Sequence, residues 1–504
     1  MTKNLKLSVF YILLFLLILF IHLSLYKYAF DDAYIHFRIS GNLLDYGKPY
    51  FNIDERLMAS SSSGWTILLS ALFSIAGKSI KAVALLNAAI TTLTVFVFAR
   101  VAENISGNKK ITNDVLVALV SVPVLIYSSV GLMETPAALL LLGAGILFYL
   151  RGKGISFLFL SAGVFFRLEL AVFLAVIFMH NIFVRKIKVK EMFSYAVAGA
   201  APFIIYNLVY FGTNIPHAVA AKQAIYSLKH ETVTFMLFHR VLIDGVTGRY
   251  IVSILVGGMN AMLMFRAVKA GPDSLEKKVL ILTLPATLIM LSYIIKKVFI
   301  FEWYIPLILL PMFIGFFVYS AVRNRAIFAM AALFVFLPHI QDFSRTIYAT
   351  LGNKAAYPEF HQGARVRKYI EVADRLYRVY PDYTLLSTEM GGLGFGFKGR
   401  VLDGAGLLTR NALKYHPMKV PQERPNGLTG AIPPGYVKEA NPDIIVSYDS
   451  FCGAFMKSPE SANYVIIKEP IFTSSDLAIT DVRSLWGIDD INIFIKKVKY
   501  SKKF

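Results

Sequence analysis

A single cysteine, Cys452, stands in a chain of 504 residues. That excludes an intrachain disulfide framework and every CxxC metal or redox motif. Charge is sparse as well: only 17% of residues are charged, and acids are the scarcer sign, 32 against 52 Lys and Arg. In a soluble protein a net charge of +20 would raise nucleic acid as a partner. The bases, however, fall in short loops between apolar runs, where they set membrane topology and meet anionic lipid, so nucleic acid is not expected. What fills the chain instead is apolar. Hydrophobic residues make up 56%, against about 45–50% in a soluble domain, and mean hydropathy is +0.58. Such a chain needs lipid as a second solvent.

The first apolar run covers Leu7 to Leu25 and ends in Tyr26-Lys27-Tyr28. It is long enough to span a bilayer core, and an aromatic belt stands where a signal peptide would carry a small-residue cleavage site. The expectation is an uncleaved helix with its N-terminus in the cytoplasm. Further spans are expected near 80–100, 112–128, 134–150, 155–168, 169–183, 191–210, 249–266, 278–295, 303–320 and 325–341. The short segment 64–76 is expected to lie along the interface. With about eleven spans, the inner loops hold Arg100/Lys109/Lys110, Arg151/Lys153, Arg185/Lys186/Lys188/Lys190, Arg266/Lys269/Lys277/Lys278 and Arg323/Arg325, as the positive-inside rule requires. Lys296-Lys297 falls outside and is the exception. The expected fold is a polytopic α-helical membrane module over 1–341, with a first outer loop at 27–79. A small extracytoplasmic α/β domain over 342–504 completes it.

On that topology the unusual polar residues gather on the outer face. The first loop carries Asp31-Asp32 and Arg38; later loops carry Glu134, then Arg167 and Glu169, then His217 and Lys222, and last Lys296 and Glu302-Trp303-Tyr304. Ionisable groups at membrane depth are expensive and rarely face lipid. Each has a plainer use. Arg167 and Glu169 can be a structural ion pair, Glu302 an interfacial anchor, and His217 a satisfied loop residue. Asp31 can cap a helix running from Ala33 to Leu44, with Asp32 in its first turn. Adjacent carboxylates also have a chemical use: one can take a proton from a hydroxyl. Alternatively, the pair can hold a divalent cation such as Mg2+, Mn2+ or Ca2+ beside a phosphate. The sequence leaves both open.

Past Asp342 the chain turns soluble-like. A helical period over Glu359 to Tyr380 precedes short strand-like runs at Tyr383–Ser387, Val401–Asp403, Ile444–Val446, Tyr464–Ile467 and Ile491–Ile495. The glycine-rich stretch Gly391–Arg400 lacks the spacing of a nucleotide fingerprint and is expected to be turn glycines.

These motifs resemble the GT-C superfamily, multi-span glycosyltransferases that use polyprenyl-phosphate sugars. More narrowly, they are similar to its arabinofuranosyltransferase-like branch, which includes the mycobacterial terminal β-1,2-arabinofuranosyltransferase. The first loop carries the resemblance best: Asp31-Asp32-Ala33-Tyr34-Ile35, Arg38, Asn42, Gly47, Phe51-Asn52, Glu55-Arg56 and Trp65. Gly131-Leu132-Met133-Glu134-Thr135-Pro136 matches a Gly-Leu-Glu-Thr-Pro signature with Met133 inserted. Arg167-Leu168-Glu169 matches Arg-x-Asp, with Glu for Asp. Pro216-His217-Ala218 to Ala221-Lys222 matches a Pro-Asn-Thr to Ala-Lys loop, with His217 for Asn. The tail strings Gly394 to Leu407 and Pro442 to Val446 are also similar.

The resemblance implies an inverting glycosyltransferase in the inner (plasma) membrane, moving a sugar such as arabinofuranose, another pentose or a hexose to a cell-envelope glycan, lipid or protein acceptor. Asp31 or Asp32 would be the base, with Asp31 in the position that the family's catalytic aspartate usually holds. Arg167, Lys222 or the Lys296-Lys297 pair would meet the donor phosphate, and Arg38, Glu134, Glu169, His217, Glu302, Trp303 and Tyr304 would complete the substrate site. A non-enzymatic transporter or flippase of lipid-linked saccharides is the alternative. It would need charge along a path through both faces, whereas here the charge clusters on one.

Overall fold

The computed structural model describes residues 3–107, 114–225, 246–271, 273–297, 300–323, 326–354, 360–416, 418, 432–471 and 490–500. Lys109, Lys110 and Arg325 of the expected basic loops lie outside the described residues. The bundle begins with α1 (Lys3–Leu25), which leads through a short 3-10 turn to α2 (Asp31–Tyr46) and α3 (Ser63–Ala76). Then follow α4 (Ile80–Ser106), α5 (Asp114–Val130), α6 (Thr135–Leu150), α7 (Ser156–Val164), α8 (Leu170–Val184) and α9 (Val189–Phe211). After α10 (His217–Ile225) come α11 (Val246–Lys269), α12 (Leu275–Ile295), α13 (Ile305–Arg323) and α14 (Ala326–Thr350). Every expected span is therefore a helix, and α3 is the helix expected at 64–76.

Among the described residues, five helical segments are long and apolar enough to cross a membrane by themselves: Leu5–Tyr28, Ile80–Ser106, Val189–Phe211, Leu275–Lys296 and Glu302–Arg323. Their environments differ. Nearly all of α13 is buried, so it forms the centre of the bundle, whereas α9 buries only Met192, Gly199 and Asn207 and turns the rest outward. Gly199 marks a close helix approach, because a Cβ there would meet the Leu158 carbonyl oxygen of α7 at 2.3 Å. The span expected at 155–168 is the shortest. Nine residues of α7 rise roughly 14 Å, under half of a bilayer core. Tight turns flank it, closed by Ser156 N–H to Lys153 O at one end and Leu170 N–H to Arg167 O at the other.

Ion pairs tie one end of the bundle together: Lys186 to Asp273 at 3.0 Å, Arg323 to Glu276 at 2.8 Å, and Arg100 of α4 to Asp114 of α5. This is the end where the basic loops gather. The opposite end carries α2, α3 and a small domain. That domain begins with α15 (Phe360–Val379), and its five strands are β1 (Leu385–Ser387), β2 (Val401–Asp403), β3 (Ile444–Tyr448), β4 (Tyr464–Pro470) and β5 (Asp490–Lys496). They form one mixed sheet in the order β2-β1-β3-β5-β4, parallel across β2-β1-β3 and antiparallel across β3-β5-β4. All five strands fall where the short strand-like runs place them. The helix α14 runs unbroken through position 342, so the polar residues after Gln341 first extend a bundle helix.

The glycine-rich stretch departs from expectation. Gly391–Gly396 is a short helix, α16, rather than a run of turns. It is wedged between α2 and α15, and side chains on either side would not fit: Cβ atoms at Gly392 and Gly396 would meet the Val366 and Ile370 carbonyl oxygens at 2.7 and 2.6 Å.

Candidate active site

Five segments far apart in sequence meet where α2 begins. The helix α2 starts at Asp31 without a side-chain cap, and its Ncap residue is Phe30, so the cap expected from Asp31 on its own helix is not made. Asp31 caps a different helix. Its two carboxylate oxygens accept from Gly391 N–H and Gly392 N–H, each at 2.8 Å, satisfying donors that the first turn of α16 would otherwise leave open.

Asp32 lies about 100° further round α2 and faces the bundle. Its carboxylate forms no hydrogen bond among the described residues. The charges acting on it are Lys222, Asp31, Glu134 and Arg167. Burial, helped by Asp31 and Glu134 and opposed by Lys222 and Arg167, pushes its pKa up to about 6. One turn on, His36 Nε2 sits 3.7 Å from Glu134 Oε2 while its Nδ1 meets Ser60 Oγ at 3.2 Å. Burial lowers its pKa against the pull of Glu134.

Glu134 precedes α6, with Pro136 in the helix's first turn as the signature predicts. The preceding Leu132 has φ +60°, the left-handed region that a branched apolar residue adopts only when its surroundings enforce it. The strained turn aims Glu134 inward, where it is 0% exposed. Arg167 answers it: Nη1 reaches Glu134 Oε1 at 2.8 Å, while Nη2 and Nε hold Glu169 at 2.6 and 3.1 Å. Tyr293 Oη donates to Glu169 Oε1 at 2.5 Å, and the guanidinium lies 3.9 Å from the centre of the Tyr304 ring. Thus the planar fork expected to take a phosphate is bidentate on Glu169 instead. The ion pair weighed as the plainer use is present, and it forms the frame of the site.

Lys222 is the more available cation. Its Nζ donates one bond to Tyr304 Oη at 2.7 Å and stands 4.7 Å over the Phe301 ring, leaving two ammonium protons without an acceptor among the described residues. Trp303 supports this wall: its carbonyl oxygen accepts from Thr135 Oγ1 at 2.7 Å and its ring lies 5.0 Å from Phe30. Glu302 is half-buried in the same 3-10 turn.

Three expected site residues are placed elsewhere. Arg38 commits its five N–H donors to Phe51 O, Gly394 O, Phe397 O, Gly399 O and Asn52 Oδ1, so it clamps the small domain and has no donor left for substrate. His217 is a latch, its Nε2 3.0 Å from Gly406 O and its N–H bonded to Met58 O. Lys296 is exposed at the end of α12; the group this helix sends inward is Tyr293, one turn earlier. Tyr293 and His36 were not among the expected site residues. His36 was legible by its i+4 spacing from Asp32, while nothing local marked Tyr293.

A metal fits this donor set poorly. Both Asp31 oxygens face N–H groups, Glu134 is paired with Arg167, and no group of three His, Cys, Asp or Glu suited to an ion occurs among the described residues. A separate cavity of about 880 Å³ opens towards the far end of α2, between Tyr46, Lys78, Asp374 and Arg400. It does not reach Asp32.

Fold and site together define a polytopic membrane protein with a buried carboxylate–cation centre beneath a small mixed-sheet domain. The same architecture is found in ArnT from Cupriavidus metallidurans bound to undecaprenyl phosphate, with a TM-score of 0.56 at 11% identity over 97% of this chain and 98% of that one. The apo state of the same protein gives 0.51 at 11% identity over 98% of each chain. At this identity the likeness is one of fold. No family model matches the sequence, and neither does any curated protein.

Proposed function

We propose that the chain is an inverting glycosyltransferase that uses a polyprenyl-phosphate sugar, with Asp32 as its general base. The observation that carries this is a half-buried carboxylate with no hydrogen bond among the described residues, under the influence of an ammonium with protons to spare, inside an ArnT-like fold. Asp32 accepts the proton of the acceptor hydroxyl, whose oxygen attacks the anomeric carbon from the face opposite the phosphate. The bond between that carbon and the phosphate oxygen breaks, and the electron pair leaves with the polyprenyl phosphate. Lys222 meets the developing negative charge, with the fixed positive field of Arg167 behind it. We assign the phosphate's neutralisation to these cations rather than to a metal. The undecaprenyl phosphate held by the ArnT structure supports a polyprenyl-phosphate leaving group. The motifs favour arabinofuranose among the candidate sugars and a cell-envelope acceptor.

The basic loops support an orientation with the reacting end extracytoplasmic. Transfer of radiolabelled sugar from polyprenyl-phosphate donors, measured in membranes holding wild type or Asp32→Asn, tests the proposal. Transfer by wild type and its loss in Asp32→Asn are expected. Equal transfer by both would remove Asp32 from the mechanism. Movement of the lipid-linked sugar across reconstituted vesicles with no transfer product would favour a transporter.

A further inference from the structure

The glycine helix α16 is held at both ends by one face of α2. Asp31 takes the N–H groups of Gly391 and Gly392 at its start. Arg38 takes the carbonyl oxygens of Gly394, of Phe397 at 2.6 Å and of Gly399 at 2.7 Å at and beyond its end. The two grips are seven residues apart, two turns of α2 or roughly 10.5 Å, close to the roughly 9 Å length of a six-residue helix. An acid meets the open donors and a base the open acceptors, so the match holds in sign as well as in length. The contact is also tight: a Cβ on Gly391 would lie 1.8 Å from the Asp31 carbonyl oxygen, and one on Gly394 would lie 2.3 Å from the Phe51 ring. From behind, Glu389 of the same segment pairs with Arg365 of α15 at 3.2 Å.

We infer that α16 is a positioning element of the carboxylate site, and that Asp31 and Arg38 are positioning residues which fix the first turn of α2 and thereby aim Asp32. This rests on the glycosyltransferase reading for its kinetic consequence, but the mechanical coupling can be read without it. Asp31 spends both oxygens on the small domain and so is not the base, although it occupies the first place of the acidic pair. Its charge still acts on Asp32, alongside Lys222 on α10, Glu134 before α6 and Arg167 after α7.

The test uses the purified full-length chain as wild type, Asp31→Asn, Gly391→Ala and Arg38→Met, with two readouts. In hydrogen–deuterium exchange, Gly391→Ala and Arg38→Met should speed exchange in 29–37 and 389–399 together. A rise confined to 389–399 would overturn the coupling, whatever the protein's reaction. In sugar transfer, Asp31→Asn keeps one acceptor for the α16 donors and should retain about a tenth or more of kcat with donor KM within about twofold. Its acidic pH limb should move to lower pH, since a like charge beside Asp32 is gone. Loss of transfer in Asp31→Asn as complete as in Asp32→Asn, with wild-type exchange, would make Asp31 a catalytic residue and overturn the inference. If wild type transfers no sugar, the reaction assignment fails, while the exchange result still decides the coupling.

Discussion

Two carboxylates in this protein, Asp32 beneath the small domain and Asp403 inside it, are both pushed up to about 6 by burial, yet they are built for different ends. Asp403 is 0% exposed at the end of β2, and its two oxygens accept from Ala405 N–H and Leu408 N–H, each at 2.8 Å. Those bonds oppose the shift and shape the loop that offers Gly406 to His217. Asp32 has no such bonds among the described residues; what opposes its shift is Lys222, which keeps protons for a ligand, and the fixed charge of Arg167. A raised carboxylate pKa therefore does not mark a reacting group by itself. The partners do: N–H donors fix a loop, while cations that act on a carboxylate without bonding it leave it open for chemistry.

The comparison breaks most sharply by deletion. Asp32→Ala should lower transfer by roughly 10²–10⁴-fold, the usual range for a general base, without lowering the melting temperature. Above pH 6 it removes a partly buried charge that the fold holds at a cost: a folded pKa above the unfolded one makes the ionised form a burden once the pH exceeds both. Thermal unfolding of the purified protein alongside the transfer assay checks both halves, and a large drop in melting temperature would make Asp32 a structural acid like Asp403.

Next in size is the pH response. A base with a pKa near 6 must be ionised to act, so wild-type transfer should fall about tenfold for each pH unit below 6. Lys222→Met removes the largest force holding that pKa down. Its acidic limb should therefore move to higher pH, with transfer at neutral pH lowered about tenfold or more as the phosphate loses its partner. A pH–rate profile for each protein decides this; an unmoved limb would separate Lys222 from Asp32.

Asp403→Ala should show the opposite division of effects. It strands two buried N–H donors and should destabilise the chain by about 1–3 kcal/mol, with transfer per folded molecule within about twofold of wild type. Chemical denaturation followed by tyrosine fluorescence reads the first, and the transfer assay the second. The smallest effect expected is that of a chelator. EDTA should leave transfer within about twofold, because Lys222 and Arg167 already stand beside the carboxylate. Loss of activity restored by Mg2+, Mn2+ or Ca2+ would bring back the metal that adjacent carboxylates suggest.

Some of this was legible from the sequence for a plain reason. Lipid offers backbone groups no partners, so the chain crosses it as apolar helices, and such runs stand out one by one even where, as at α7, the helix is short. The strands were legible because short runs rich in β-branched and aromatic residues between turn residues leave few alternatives. Asp31-Asp32, Glu134, Arg167 and Lys222 were visible because charge at membrane depth is rare. Their division of labour was not visible, because the deciding partners are remote in sequence. Gly391 is 360 residues from Asp31, and Tyr293 is 124 from Glu169. The glycines of 391–396 look like turns in isolation, since the feature that requires glycine there is the backbone of α2 lying against them.

By itself, then, the sequence determined that the chain lives in a membrane, where its helices and strands run, and that scarce charges gather at one end of the bundle. Hydropathy and charge are local properties, and a bilayer reads them locally. Only the tertiary structure decided which acid of the pair is open for chemistry. That choice depends on which N–H groups take up the Asp31 oxygens and which charges act on Asp32 without bonding it, and the roughly 100° turn between successive helix residues sends Asp31 to the small domain and Asp32 to the bundle.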